Sequence, residues 1–219
     1  MRELLAPPAQ AIINGMPTQP HVNLSIGGST NRMICPHVHS RPGFGLLCNQ
    51  HGLLGTAVEI GVHQGVFAAE FLGLWLGRRY VGVDPWRVIE GYSEDLEASN
   101  ALDQAARDKD YELAERAIAR YRDRAELLKA TSEEAARALP DGLDFIYIDG
   151  AHDLASVRRD IALWWPKVRP GGILAGHDYA NPFARDVTAA VDEHAAAVGQ
   201  VVWIAAYNPV PASWYVWKR

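Results

Sequence analysis

The chain has 219 residues, 48% of them hydrophobic and 21% charged, with a formal net charge of −5. That is enough apolar chain for one globular domain with a substantial core, and too much for a disordered segment. The acidic balance without a basic block argues against nucleic acid as a partner, no apolar run is long enough to span a bilayer, and Cys35 and Cys48 make no disulfide framework.

Met1–Gln10 lacks a signal-peptide core and is interrupted by two prolines, so a reducing cytoplasm is the expected compartment. Residues 1–55, rich in Pro, Gly, Asn and His, read as an irregular N-terminal arm or lid with one short helix around Gly45–His51. Cys35, His37 and His39 alternate and share one face of an extended chain, with Cys48 and His51 following. Their spacing fits no standard zinc pattern. The alternatives are a lid with free thiols, or histidines that line a substrate pocket.

Regular patterning begins at Ala57. The first strand is Ala57–Ile60 and the helix after it Val66–Leu76, with Phe67, Phe71 and Leu74 inward. A second strand, Tyr80–Val83, ends in Asp84-Pro85-Trp86. A helix is expected over Ser93–Arg107, and another capped by Asp110, with Leu113, Ala117 and Tyr121 recurring every four residues. The third strand is Glu126–Ala130. Thr131 and Glu134 form a capping box. The fourth strand, Asp144–Ile148, precedes a helix capped by Asp153 that turns Leu154, Val157, Ile161 and Trp164 inward. Arg169-Pro-Gly-Gly172 reads as a type II turn before the fifth strand, Ile173–Gly176. Asn181-Pro182 opens a helix with Phe183, Val187 and Val191 on one face. Val201–Ala206, a loop at Asn208–Pro211 and Ser213–Trp217 close the chain. Alternating strands and helices imply an α/β, doubly wound, mainly parallel Rossmann-like sheet. The last two strands are joined too briefly for a helical crossover, so they pair antiparallel.

Ligands of such sheets lie at the carboxyl ends of the strands. Five successive exits carry polar or glycine residues that packing does not require: Glu59, Gly61, His63 and Gly65; Asp84; Thr131 and Ser132; Asp149, Gly150 and His152; His177, Asp178 and Tyr179. An acid ending the second strand suits the two hydroxyls of a ribose, in a nicotinamide dinucleotide or in S-adenosylmethionine alike. A dinucleotide turn wants a glycine where this chain has His63, so a pyrophosphate would meet a side chain. Glu59 in turn suits a cationic ligand group; its alternative is a carboxylate that caps local N–H groups.

Val-Glu-Ile-Gly-Val-His-Gln-Gly, Tyr-Val-Gly-Val-Asp-Pro-Trp, Asp-Phe-Ile-Tyr-Ile-Asp-Gly-Ala-His and Arg-Pro-Gly-Gly-Ile-Leu-Ala-Gly-His-Asp-Tyr, in that order, resemble the class I S-adenosylmethionine-dependent methyltransferases. The resemblance covers about Ala57 to Arg219 and is strongest to small O-methyltransferases, including metal-dependent ones that act on catechols and macrolide sugars. It implies a seven-stranded sheet with an antiparallel last strand, and a division into the arm (1–55) and an S-adenosylmethionine-binding methyltransferase domain (56–219). It also implies that Glu59, Gly61 and Gly65 frame the methionine part, that Asp84 holds the ribose, and that Ser132 meets the adenine. With His63, Trp86 over the adenosine, Thr131, Asp149 and Gly150, these complete the candidate cofactor-binding set.

In metal-dependent relatives, an aspartate at the fourth exit binds the ion, and a basic group three residues on deprotonates the substrate hydroxyl. Asp149 and His152 match that pair as the candidate catalytic residues, and an unperturbed imidazole can take a proton near neutral pH. The relatives carry two adjacent ligands at the fifth exit, where this chain has His177-Asp178. The implied metal set is therefore Asp149, His177 and Asp178, holding magnesium or manganese, with His177 favouring softer ions. In the alternative, His177 packs or faces substrate and no metal binds, and His152 caps a helix or bonds a loop.

The expected function is methyl transfer from S-adenosylmethionine to a hydroxyl of a small molecule, a sugar or natural-product intermediate, assisted by a divalent metal with His152 as general base. The runners-up are a metal-independent N- or O-methyltransferase and a nicotinamide-dependent oxidoreductase. Trp203, Trp214 and Trp217 pack within the sheet or meet a second copy in a homo-oligomer.

Overall fold

The computed structural model of the protein describes residues 32–35, 38, 40–89, 103–205 and 212–219. In chain order the elements are β1 (Arg32–Cys35), α1 (Gly43–Gln50), β2 (Thr56–Ile60), α2 (Val66–Leu74), β3 (Arg79–Asp84), α3 (Gln104–Ile118), β4 (Ala125–Lys129), α4 (Ser132–Ala138), β5 (Leu143–Ile148), α5 (Leu154–Trp164), β6 (Val168–Tyr179), α6 (Arg185–Ala197), β7 (Val202–Ala205) and β8 (Ala212–Trp217). They form one eight-stranded sheet in the order β1-β7-β8-β6-β5-β2-β3-β4. β8 runs antiparallel to both β6 and β7, and the other pairs are parallel. Successive strands leave β2 in opposite directions, toward β3 on one side and β5 on the other, and this reversal opens a crevice at their carboxyl ends.

The sheet is covered on both faces, so its central strands are apolar throughout; β5 is buried over its whole length. On one face Val58, Ile146 and Leu174 pack against Val157, Ile161 and Trp164 of α5 and Val187 and Val191 of α6. On the other, Phe145 and Tyr147 meet Phe44 of α1 and Phe67 and Phe71 of α2. Phe67 stacks on Tyr147 at 4.0 Å and Phe71 on Phe145 at 5.0 Å between ring centroids.

The expected arm is more ordered than its composition implies. Arg32–Cys35 add an eighth strand to the seven expected, covering the free edge of β7. Arg32 pairs with Asp192 of α6, which also accepts the Tyr179 hydroxyl at 2.7 Å. α1 buries Phe44, Leu47 and Cys48. A Cβ on Gly45 would stand 2.9 Å from the Trp75 backbone nitrogen, so α1 rests directly on the end of α2. Cys35 and Cys48 are buried free thiols. His51 lies edge-on to Trp217 at 4.8 Å, while His37 and His39 fall outside the described residues.

Several boundaries move for local reasons. Asp103, whose side chain accepts the Ala106 N–H, caps α3; Asp110 lies inside that helix and is buried. The buried stripe is Asp110, Ala114 and Ile118, rotated from the expected Leu113–Ala117–Tyr121 face. The first part of the helix expected from Ser93, and the loop at Asn208–Pro211, fall outside the described residues. Leu74 points outward and Trp75 takes the buried place at the end of α2. α6 starts at Arg185 rather than at Pro182, and Phe183 is exposed. Pro170-Gly171 is absorbed into β6 as a bulge: pairing jumps from Leu143–Val168 to Phe145–Ile173, and Gly171 has φ +76°. The Thr131–Glu134 capping box and the Asp153 cap form as expected. No helix among the described residues is long and apolar enough to cross a membrane.

Candidate active site

The glycine turn joins the exits of three strands. A Cβ on Gly61 (φ +87°) would fall 2.1 Å from the carbonyl oxygen of Asp149, so only glycine lets the exits of β2 and β5 meet. Gly65 (φ +79°) is the N-cap of α2, and its α-carbon faces Ala114 and Ala117 of α3, which a Cβ would approach to 3.0 Å. His63 between them also takes a left-handed conformation, φ +52°. Its N–H donates to Asp84 Oδ2 at 2.9 Å, and the Trp86 N–H donates to Asp84 Oδ1 at 2.9 Å. The Trp86 indole N–H closes the loop by donating to the His63 carbonyl at 2.8 Å. Asp84 thus pins both loops, and each oxygen keeps acceptor capacity toward the crevice. Burial pushes its pKa up, and the two N–H bonds oppose that shift. Trp86 is itself buried against Val62 and Ala114, edge-on to Tyr111 at 5.0 Å.

Glu59 is fully buried beneath this turn and accepts the Tyr80 hydroxyl. Burial pushes its carboxyl up to about 8, with the Tyr80 bond and the Arg41 charge opposing, which favours the protonated form at neutral pH. Asp149 leaves the neighbouring strand and pairs with Arg41, which the arm supplies just before α1. The Arg41 guanidinium lies 5.3 Å from the Phe67 ring centroid and 5.6 Å from that of Tyr147, within cation–π range of both. Burial raises the Asp149 pKa, and Arg41 and His177 oppose the rise.

At the β6 exit, Asp178 adopts φ +60°, which turns its carboxylate toward the β5 exit. Its Oδ2 lies 2.9 Å from His152 Nε2 and 3.2 Å from His177 Nδ1, and its Oδ1 accepts from Asn181 Nδ2 at 2.7 Å. Burial works against ionisation, but the two histidines together outweigh it and hold Asp178 well below the ordinary carboxylate range. His177 Nδ1 also stands 3.8 Å from Asp149 Oδ1, so the ring fits between the two acids. Asp149, His152 and Asp178 offer ligand atoms within 4.8 Å of one another, the one such metal-capable group among the described residues. Asp149, His152, His177 and Asp178, the catalytic and metal candidates of the fourth and fifth exits, therefore converge. The His152 side chain is 33% exposed, so the pair stays open to a ligand.

The β4 exit is arranged differently. Thr131 spends its hydroxyl on the α4 cap. Ser132 donates to Asp160 of α5 and accepts from Trp164 Nε1 at 2.9 Å. Burial lifts Asp160 to about 6 against the Ser132 bond, and a Cβ on Gly150 would lie 3.9 Å from its Oδ2.

Sequence reasoning missed Arg41, Tyr80, Asp110 and Asp160. Asp160 had a readable signal, an acid on the inward stripe of α5 beside Val157, Ile161 and Trp164. Asp110 shares that kind of signal in α3, where it accepts Gln64 Nε2 at 2.9 Å and faces His63 Nε2 at 3.4 Å. Arg41 stands in a stretch with no periodicity to place it.

Residues 58–179 match the model of a family described as a methyltransferase domain. That match spans more than half of the chain, so the protein belongs to this methyltransferase family, with the fold of the class I S-adenosylmethionine-dependent enzymes. Similar solved structures include the O-methyltransferase from Bacillus cereus in complex with SAH, at 18% identity, 84% coverage of each chain and a TM-score of 0.57. The O-methyltransferase NovP is similar at 19% identity, over 82% of this chain and 77% of that one, with a TM-score of 0.58. Cofactor-bound Rv0187 from MTB gives 16% identity, 85% and 84% coverage and a TM-score of 0.56. The curated proteins contain no match to the chain. Family membership removes the oxidoreductase alternative.

Proposed function

We propose that the protein transfers the methyl group of S-adenosylmethionine to a hydroxyl of a small molecule, a sugar or natural-product intermediate, with His152 as general base. The observation that carries this reading is the His152–Asp178 pair at 2.9 Å, beside Asp149 at the exits of adjacent strands. Similarity to O-methyltransferases, one of them in complex with SAH, supports both the donor and the acceptor atom.

The donor supplies a methyl group activated on a sulfonium sulfur. The turn at Gly61–Gly65, Glu59 below it and Asp84 beside it would receive the methionine and ribose portions. An un-ionised alcohol is a weak nucleophile, so the protein's task is to hold the hydroxyl and remove its proton. With its Nε2 2.9 Å from Asp178 Oδ2, the His152 imidazole would be oriented by that carboxylate and would take the proton as a neutral base. The resulting imidazolium is stabilised by Asp178, whose carboxylate stays ionised across the physiological range. Holding the two reactants together contributes much of the remaining rate.

A second reading has its own support in the clustered donor atoms. Two carboxylates and an imidazole within 4.8 Å suit a divalent ion, manganese better than magnesium because of the imidazole. Asp149, His152 and Asp178 would hold it, with His177 beside them, and it would supply a Lewis acid that lowers the pKa of the acceptor hydroxyl. His152 would then be a ligand and not the base.

Transfer of labelled methyl from S-adenosylmethionine to a panel of hydroxylated sugars and phenols tests the proposal, with chelator and metal add-back as separate arms. Transfer that survives chelation supports the His152–Asp178 base. Activity lost to chelator and restored by manganese moves His152 to the ligand set. Transfer to amines and not to hydroxyls would overturn the acceptor assignment.

A further inference from the structure

The arm places a cation, Arg41, inside the site, and neither the base chemistry nor the glycine turn accounts for it. One nitrogen, Nη2, is committed to Asp149. Nε is fully buried and meets no hydrogen-bond acceptor among the described residues. An orphaned donor on a half-buried guanidinium costs stability unless something completes it. The group is also held in place, within cation–π range of Phe67 in the first turn of α2 and of Tyr147 on β5. Its partner Asp149 follows β5 at the point where the Asp149 carbonyl meets Gly61. Glu59 lies on the strand beside β5, level with Tyr147, and feels the Arg41 charge.

A buried acid and an incompletely bonded guanidinium on the same side of the glycine turn suit a ligand end that bears both an ammonium and a carboxylate. We propose that Arg41 binds the α-carboxylate of the methyl donor, while Glu59 faces its ammonium. This rests on the donor reading above and adds to it a specificity-determining residue supplied by residues 1–55. The arm then completes the donor site, and Arg41 selects the zwitterionic amino-acid end over a ligand that lacks the carboxylate.

The test uses the full chain and two probes: S-adenosylhomocysteine, and its decarboxylated analogue, which keeps the ammonium. Calorimetry on the wild type should show the first binding about 10- to 100-fold tighter, the range for a charge-assisted hydrogen bond. Arg41→Gln should reduce that preference to about threefold or less, the larger loss falling on the carboxylated probe; Arg41→Lys should retain part of the preference. Equal weakening of both probes in Arg41→Gln would make Arg41 a structural partner of Asp149 and overturn the proposal. So would a wild type with no preference, which needs no variant and is independent of any folding defect. A preference that persists in Arg41→Gln would place the carboxylate elsewhere. A wild type that binds neither probe would instead overturn the donor reading, and the proposal with it.

Discussion

The two ends of the sheet solve the same problem, a buried carboxylate, in opposite ways. At the amino end, Asp144 accepts the Gly55 and Thr56 N–H groups and pairs with Arg169. Backbone bonds from Gly142 and Leu143 to the Lys167 carbonyl, each 2.9 Å, tie the same end together. At the carboxyl end, Glu59, Asp84, Asp149 and Asp178 crowd the exits, and burial pushes the first three toward protonation. The described non-glycine residues with left-handed backbone, His63, Trp86, Asp178 and Ala180, also lie at or just past the carboxyl ends of strands. One end is satisfied and relaxed. The other holds strain and unspent charge, the usual mark of a place built to receive a ligand.

The contrast predicts that substitutions at the two ends fail in different measurements. His152→Ala should lower kcat by about 100- to 10,000-fold, the ordinary contribution of a positioned base, with affinity for S-adenosylhomocysteine within about threefold of wild type. Turnover and calorimetry check this, and an unchanged kcat would remove His152 from the mechanism. Asp144→Ala should do the reverse. It strands two N–H groups and breaks a half-exposed ion pair, at a cost of about 2–3 kcal/mol that comes mostly from the stranded N–H groups. Urea unfolding should register that loss, while kcat of the folded protein stays within about twofold.

How legible each end was in the sequence follows from the same physics. Strand and helix order from Ala57 onward was readable because burial on both faces forces apolar runs in β2 and β5, and because Thr131 and Asp153 are helix caps with a local mechanism. The acids at the exits were readable because packing gives no reason for Glu59, Asp149 or Asp178. Which partner each acid takes was not, since Arg41 reaches Asp149 across 108 positions of sequence and Tyr80 reaches Glu59 across 21. β1 escaped notice because a four-residue edge strand carries too little pattern to outweigh its proline- and glycine-rich surroundings. The α3 stripe was misplaced because an aspartate, Asp110, occupies a buried position and disguises the period.

A pH series sharpens the comparison further. Glu59 holds its proton more tightly folded, near 8, than unfolded, near 4.5. A carboxyl raised in this way stabilises the fold fully below the unfolded value, and that contribution is lost as pH rises through the folded one. Wild-type stability should therefore decline between about pH 4.5 and pH 8, by an amount on the order of a few kcal/mol. Glu59→Gln keeps an acceptor for the Tyr80 hydroxyl and cannot ionise, so its urea midpoint should stay level across the window and exceed wild type at the alkaline end. Matching pH profiles for the two proteins would show that Glu59 is not the group responsible. A saturating ligand that carries an ammonium should flatten the wild-type decline, since it stabilises the ionised carboxylate that burial alone disfavours.

The smallest expected effect separates strain that serves the site from strain that merely accompanies it. Ala180 has φ +59° and is exposed; its N–H bonds the Thr188 hydroxyl at 2.9 Å, and its methyl group has no role in the proposed chemistry. Ala180→Gly removes the left-handed penalty, of about 1–2 kcal/mol, but frees the unfolded chain, so a net gain of about 0.5–1 kcal/mol should remain in urea unfolding. Asp178, two residues earlier, has the same conformation and is not free to change in this way. Its backbone turn aims the carboxylate at His152, so Asp178→Gly should cost turnover whatever it gains in stability. If Ala180→Gly instead lowers kcat by more than about threefold, the conformation of the whole segment after β6, and not that of Asp178 alone, is what holds the pair in place.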